Sequence, residues 1–141
     1  GYGAYRIRGH KHAGLDISGS YSENVYSIGN GIVVDTWYSF PYTAVVIEYK
    51  FSDGKKFYVS FVHLGEIFVQ KGGNVEAGTI IGRLFNESEF ENSHFKQNHL
   101  HLEVRKSIED NGKASYSCKT VEELNHYFYD PLVFFKNELG N

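Results

Sequence analysis

Two strongly apolar segments separated by a tight turn constrain the fold of this chain more than any other feature. Residues 44–49 read Ala-Val-Val-Ile-Glu-Tyr, and residues 57–62 read Phe-Tyr-Val-Ser-Phe-Val. The four residues Ser52-Asp53-Gly54-Lys55 include an Asp-Gly step, which is a strong β-hairpin signal when it lies between two such segments. The chain is therefore expected to contain this pair of antiparallel strands.

The rest of the sequence is also rich in strand and turn signals. Its 11 Phe, 11 Tyr and 15 Gly residues favour half-buried strands joined by tight turns. Further strands are predicted in residues 25–34, around a Gly29-Asn30-Gly31 turn, in residues 69–75 and 77–82, and in residues 99–105. In the last of these, Leu100, Leu102 and Val104 alternate with His99, His101 and Glu103, so that the two sets face opposite sides of the sheet.

One helix is predicted near the C-terminus. Thr120 and Glu123 have the spacing of a capping box, and Pro131 disfavours helical geometry in the residue before it. The helix should therefore begin after Thr120 and end near Tyr129. No repeat or long linker divides the 141 residues, which predicts a single, mainly β, antiparallel domain over residues 1–141 with a short C-terminal helix.

Composition excludes several classes of function. A net charge of −3 argues against binding nucleic acid, which needs clustered Lys and Arg. No apolar segment approaches the roughly 20 residues of a membrane-spanning helix, and no signal peptide is recognisable at the start of the sequence. Cys118 is the only cysteine, so a metal site would have to consist of His, Asp and Glu.

Three short motifs contain residues suited to metal chemistry. His99 and His101 project from the same face of their predicted strand, with Cα atoms roughly 6.5 to 7 Å apart. They can share a metal, one can bind the metal while the other reaches a water on it, or both can be ordinary surface residues. His63 closes the strand Phe57–Val62 and should face away from Val62 and Leu64; it can equally be a core histidine bonded to a backbone carbonyl.

The third motif is His12-Ala13-Gly14-Leu15-Asp16. A straight strand would separate His12 from Asp16 by about 13 Å, too far for both to bind one zinc ion. A shared metal therefore requires a bend, and Gly14 has the conformational freedom to provide it. The alternative is a polar loop in which Asp16 stabilises a turn.

Taken in order, these motifs resemble those of the LytM/lysostaphin-like (M23) zinc metallopeptidases. The family pattern has His-x-x-x-Asp early, a histidine after a central strand, and His-x-His late. The residues around Val25–Val33, the glycine-rich segment Val69–Gly82 and Asp130-Pro131-Leu132 resemble the family as well, so that the likeness covers roughly residues 9–135.

The resemblance implies a barrel-sandwich-like fold and a zinc-dependent endopeptidase that hydrolyses peptidoglycan, at stem-peptide cross-links or glycine bridges. It implies one zinc ion per chain bound by His12, Asp16 and His101, with His63 and His99 as catalytic residues. It also implies peptidoglycan peptides as partners and a location outside the cytoplasm, in the periplasm or cell envelope. An inhibitory segment N-terminal to this sequence is compatible with it.

Other candidate residues lie around these five. Glu103 can accept a hydrogen bond from a ligand histidine, although a solvated strand residue is the preferred interpretation. His10, two residues before His12, is an alternative metal ligand, but its sequence context indicates an exposed loop. His94 is expected at the rim of the groove and His126 in the helix. Two departures from the family pattern bear on substrate preference. Phe61 stands where members commonly have Tyr, which is expected to remove a hydroxyl near the site. Residues 92–98 replace a Ser/Thr-Gly-Pro segment, which is expected to change one wall of the groove.

Three rival functions remain. A LytM-like domain without catalysis, which binds cell wall or activates another hydrolase, is disfavoured because all five positions are filled. A lipoyl- or biotin-carrying β domain would need a lysine at a hairpin tip, which the matching segment lacks. A non-proteolytic zinc hydrolase is distinguished only by its substrate.

Overall fold

The computed structural model describes residues 14–108 and the backbone of residues 128 and 129. Within these residues the chain forms ten strands and one helix. They are β1 (Leu15–Ser18), β2 (Asn24–Tyr26), β3 (Gly31–Trp37), β4 (Ala44–Lys50), β5 (Lys56–Val62), β6 (Leu64–Ile67), β7 (Asn74–Val75), β8 (Ile80–Leu84), α1 (Glu87–Ser93), β9 (His99–Arg105) and β10 (Phe128–Tyr129).

The described strands form two antiparallel sheets. The larger has seven strands in the order β1-β9-β5-β4-β3-β7, with β10 also paired to β9, and the smaller has three in the order β2-β8-β6. The predicted mainly β, antiparallel fold is confirmed. No helix among the described residues is long and apolar enough to cross a membrane.

The predicted hairpin is β4 and β5, paired from Ala44↔Val62 to Lys50↔Lys56. Its turn closes through a hydrogen bond from the amide of Phe51 to the carbonyl of Lys55, and Gly54 adopts a left-handed φ of 87°. Alternate residues of both strands point into the core between the sheets. The buried residues of this core include Val45, Ile47, Tyr49, Phe57, Val59 and Phe61 of the hairpin and Leu102 and Val104 of β9.

Several elements differ from the predictions. The strands on either side of Gly29-Asn30-Gly31 belong to different sheets. In the glycine-rich segment only Asn74–Val75 and Ile80–Leu84 form strands. Gly72, before the first of them, and Gly78, between the two, adopt left-handed conformations. The predicted C-terminal helix lies outside the described residues except at its predicted end, where Phe128 and Tyr129 form strand β10 and not helix.

Helix α1 was not predicted. It begins with a complete capping box, in which Asn86 Oδ1 accepts from the amide of Glu89 and Glu89 Oε1 accepts from the amide of Asn86, both at 2.8 Å. Arg83 also donates to Glu89 Oε1 at 2.8 Å. Burial raises the pKa of Glu89, but these hydrogen bonds and the charge of Arg83 outweigh it and lower the pKa. The ionised carboxylate thus links α1 to strand β8.

Candidate active site

The pairing of β1 with β9 brings together residues that lie far apart in the sequence. Asp16 is the direct cross-strand neighbour of His101, and Ser18 that of His99. Directly opposed residues share one face of a sheet, so Asp16 and His101 meet without any further adjustment. His12, the third predicted ligand, lies outside the described residues, as do His10 and His126.

Gly14 makes room for this arrangement. A Cβ atom at this position would overlap the ring of His101, with its Nδ1 only 2.8 Å away. The backbone φ of Gly14 is not in the left-handed region, since no such value is found there. Glycine is therefore required because the imidazole packs against its Cα. The predicted bend between His12 and Asp16 lies partly outside the described residues and stays a prediction.

The ring of His101 is buried between two carboxylates. Its Nδ1 lies 2.6 Å from Asp16 Oδ1, and its Nε2 lies 2.8 Å from Glu103 Oε2. Burial lowers the pKa of His101, but the hydrogen bonds and negative charges of Asp16 and Glu103 outweigh it and raise the pKa to about 9. The interpretation of Glu103 as a solvated strand residue is wrong, because its half-buried carboxylate binds the ring.

This environment favours positive charge next to His101 Nδ1. An aspartate oxygen and an imidazole nitrogen that face each other are donors that zinc accepts, and a carboxylate on the far ring nitrogen is a common partner of a metal-binding histidine. Asp16 and His101 therefore fit two of the three predicted ligands. Among residues 14–108, no set of three or more His, Cys, Asp or Glu side chains is arranged to hold a metal ion.

His63 reaches the same face by a local turn of the backbone. Strand β5 ends at Val62, which pairs with His101, and β6 of the other sheet begins at Leu64. Regular alternation would point His63 away from Val62, as predicted. Instead His63 has a φ of 72°, and its ring lies beside those of His99 and His101, with centroid distances of 4.8 and 5.9 Å.

Both predicted catalytic histidines are bonded to backbone carbonyls through Nδ1. The acceptor is Pro41 O for His63 and Gln97 O for His99, each at 2.8 Å. A carbonyl only accepts, so each Nδ1 carries a hydrogen, and Nε2 of the neutral ring has a free lone pair. Burial, together with the nearby rings of His99 and His101, outweighs the Pro41 bond and lowers the pKa of His63 to about 4.

The distances also separate the two members of the His-x-His motif. His101 Nδ1 lies 2.6 Å from Asp16 Oδ1, whereas His99 Nε2 lies 4.0 Å from the same oxygen. His99 is thus adjacent to the Asp16–His101 pair but outside hydrogen-bond range of it.

An aromatic wall surrounds His63. Phe95 packs edge-on against it at 4.8 Å and contacts His99 at 5.5 Å, while Tyr42 approaches from another direction at 5.5 Å. Phe95 belongs to the segment that departs from the family pattern, so this departure does alter a wall of the site. Neither aromatic residue was predicted; the only signal was the aromatic-rich sequence around Tyr42.

Other predicted neighbours of the site lie elsewhere. Phe61 is almost fully buried on the core face, opposite Leu102, so an added hydroxyl there would not line the site as predicted. His94 is exposed and forms the left-handed C-cap of α1. Asn98 is buried just before β9 and donates through Nδ2 to Phe85 O at 2.9 Å, which fixes the start of the strand that carries His99.

Comparison with known proteins identifies the family. The model for peptidase family M23 matches residues 10–116, which is more than half of the chain. The chain belongs to peptidase family M23. The resemblance read from the sequence is thereby confirmed, and the described fold is that of M23 catalytic domains. A search of curated proteins finds no match.

Solved structures of M23 peptidases are similar to this chain. The catalytic domain of the antimicrobial peptidase lysostaphin from Staphylococcus simulans is 25% identical over 97% of this chain and 90% of its own, with a TM-score of 0.69. The solution structure of lysostaphin is 24% identical with a TM-score of 0.68; this chain spans only 49% of that protein. A zinc-containing peptidase from Vibrio cholerae is 29% identical over 67% of this chain and 26% of its own, with a TM-score of 0.54.

Proposed function

We propose that this protein is a zinc-dependent endopeptidase that hydrolyses peptide bonds in bacterial peptidoglycan and acts outside the cytoplasm. The observation that carries the proposal is the convergence of Asp16, His101, His63 and His99 on one face of the seven-stranded sheet. Membership of peptidase family M23 and similarity to the catalytic domain of lysostaphin support the reaction class. Similarity to a peptidase described as zinc-containing supports the metal.

In this proposal His12, Asp16 and His101 hold one zinc ion per chain. When bound, zinc polarises the scissile carbonyl and lowers the pKa of a water molecule towards neutrality. Glu103 orients His101 by accepting its Nε2 hydrogen, which leaves Nδ1 directed at Asp16. The packing of Gly14 against the ring prevents it from turning away.

The two remaining histidines handle protons. His63 is held neutral by burial, and its Nδ1 hydrogen is committed to Pro41, so Nε2 is available to accept a proton. His99 is fixed in the same way by Gln97 and presents Nε2 beside Asp16. When protonated, His99 can donate from Nε2 to the oxyanion that forms during attack on the carbonyl.

Metal analysis and digestion of purified peptidoglycan test the proposal together. The purified protein should contain about one zinc per chain, and His101→Ala should lose both the metal and the activity. A wild-type protein that is metal-free after a zinc-replete preparation would contradict the proposal and favour the non-catalytic alternative.

His63→Ala separates metal binding from catalysis. It should retain most of the zinc and lose turnover, because His63 contacts the ligand histidine without bonding to it. Mass spectrometry of the peptides released from peptidoglycans of different cross-link types identifies the bond that is cut. Unimpaired hydrolysis by His63→Ala would refute the role given to His63.

A further inference from the structure

Three exposed aromatic residues lie at the end of β3 and in its connection to β4, and one of them, Tyr42, contacts His63 of the candidate active site. Trp37 is 61% exposed, Tyr38 71% and Tyr42 56%, and we call these three residues the aromatic surface. Single exposed apolar residues are common, but three large rings within six residues are a feature of binding surfaces. The sequence from residue 36 to residue 47 contains no charged residue, so the three rings belong to an uncharged segment of the chain.

The loop between β3 and β4 that carries much of this surface is anchored at several points. The carbonyl of Pro41 bonds to His63 Nδ1 at 2.8 Å, and the carbonyl of Thr43 accepts from the amide of Leu64 at 3.0 Å. Phe40 packs on Phe85, with ring centroids 5.2 Å apart. A ligand therefore meets a loop whose backbone is already held in place, which reduces the entropic cost of binding.

Strand register connects this surface to the metal site. Trp37 pairs with Ala44, Ala44 with Val62, and Val62 with His101, so the four residues form one row on the same face of the sheet. Three strand spacings of about 4.8 Å place Trp37 roughly 14 Å from His101. The two residues between them, Ala44 and Val62, are small. At the near end of the surface Tyr42 contacts His63.

We propose that the aromatic surface binds a neutral pyranose ring of the peptidoglycan strand whose stem peptide enters the active site. This inference rests on the proposed function. Flat aromatic rings with a polar edge suit the C–H face and hydroxyl groups of an uncharged sugar. An extended peptide advances about 3.4 Å per residue, so roughly four residues span the distance from Trp37 to His101.

Trp37 is the only tryptophan of the chain, so its fluorescence reports directly on occupation of the surface. We would titrate the protein with the N-acetylglucosamine tetramer and, separately, with glycan-free cross-linked stem peptides. The expected result is a shift of the emission to shorter wavelength with the sugar alone. A shift on addition of the peptide, or no shift on addition of the sugar, overturns the proposal.

Variants supply the second measurement. Tyr38→Ala should weaken binding of the sugar about tenfold, the effect of losing one stacked ring. The second quantity is the preference for glycan-bearing substrate, which is kcat/KM on intact peptidoglycan divided by kcat/KM on glycan-free peptides. In Trp37→Ala this ratio should fall about tenfold. Tyr26→Ala removes a ring that is 51% exposed on the other sheet, and it should change neither quantity. An unchanged ratio in Trp37→Ala overturns the proposal.

Binding does not require catalysis, so the two proposals fail separately. A wild-type protein that binds the tetramer through Trp37 and cleaves no peptidoglycan supports the aromatic surface and refutes the proposed function. Cleavage of intact and glycan-free substrates by a protein whose Trp37 does not respond to sugar supports the proposed function and refutes the aromatic surface.

Discussion

Removing the carboxylate of Glu103 should weaken zinc binding although Glu103 is not itself a predicted ligand. Its Oε2 accepts the Nε2 hydrogen of His101 at 2.8 Å, and its side chain is only 15% exposed. A hydrogen bond to a charged group of this kind contributes about 1.5–3 kcal/mol. Since each 1.4 kcal/mol is tenfold in affinity, losing it corresponds to about 10- to 100-fold weaker zinc binding, the usual effect of changing such a partner.

Two variants and a control resolve the contribution. Glu103→Ala removes both the acceptor and the charge and should approach the upper end of this range, whereas Glu103→Gln keeps an acceptor and should lie near the lower end. Glu48→Gln is the matched control, because Glu48 is 14% exposed on the same sheet face but pairs with Lys56. Competition with a chromophoric zinc chelator gives the three affinities. Zinc binding by Glu103→Ala within twofold of the wild type would refute the reasoning.

Three further substitutions test how the site is built. Gly14→Ala should sharply reduce bound zinc, measured by elemental analysis, because the new methyl group overlaps the His101 ring; wild-type zinc content would contradict the packing. His63→Gly and His63→Ala should both be inactive, but the glycine variant should be more stable by about 1 kcal/mol in urea unfolding, since alanine keeps the unfavourable left-handed φ. Equal stabilities would argue against that conformation. Phe61→Tyr should lower the free energy of unfolding by about 1–3 kcal/mol without changing kcat, because it buries a hydroxyl in the core rather than at the site. A changed kcat with unchanged stability would place residue 61 at the site after all.

The parts of the fold that were predicted correctly depend on local patterns. The β4–β5 hairpin has an Asp-Gly turn between apolar strands, and β9 has strict alternation, so both are readable from neighbouring residues. Helix α1 spans only seven residues, and none of them is buried, so it shows no helical period in its apolar residues. Its one available signal was Asn86 with Glu89 three residues later, a capping box that the sequence does contain.

The geometry of the site could not be predicted in the same way. Asp16 and His101 are 85 positions apart, and their meeting depends on the register between β1 and β9, which no local pattern specifies. The family resemblance predicted which residues form the site but not how they are arranged in space. The strand pattern predicted only a bend at Gly14 and left Glu103 as a solvated residue, because the contacts of both residues follow from where the His101 ring lies.

His63 shows why one residue can link fold and function here. The chain crosses from the larger sheet to the smaller between Val62 and Leu64, and His63 is the only residue available for the crossing. A left-handed conformation at this point changes sheets and also turns the ring from the core side to the face that carries His99 and His101. A non-glycine residue pays for this conformation in stability, and such strain is typical of functional positions. Loss of activity in a His63 variant is therefore interpretable only when its stability is measured as well, since the same residue positions the ring and joins the two sheets.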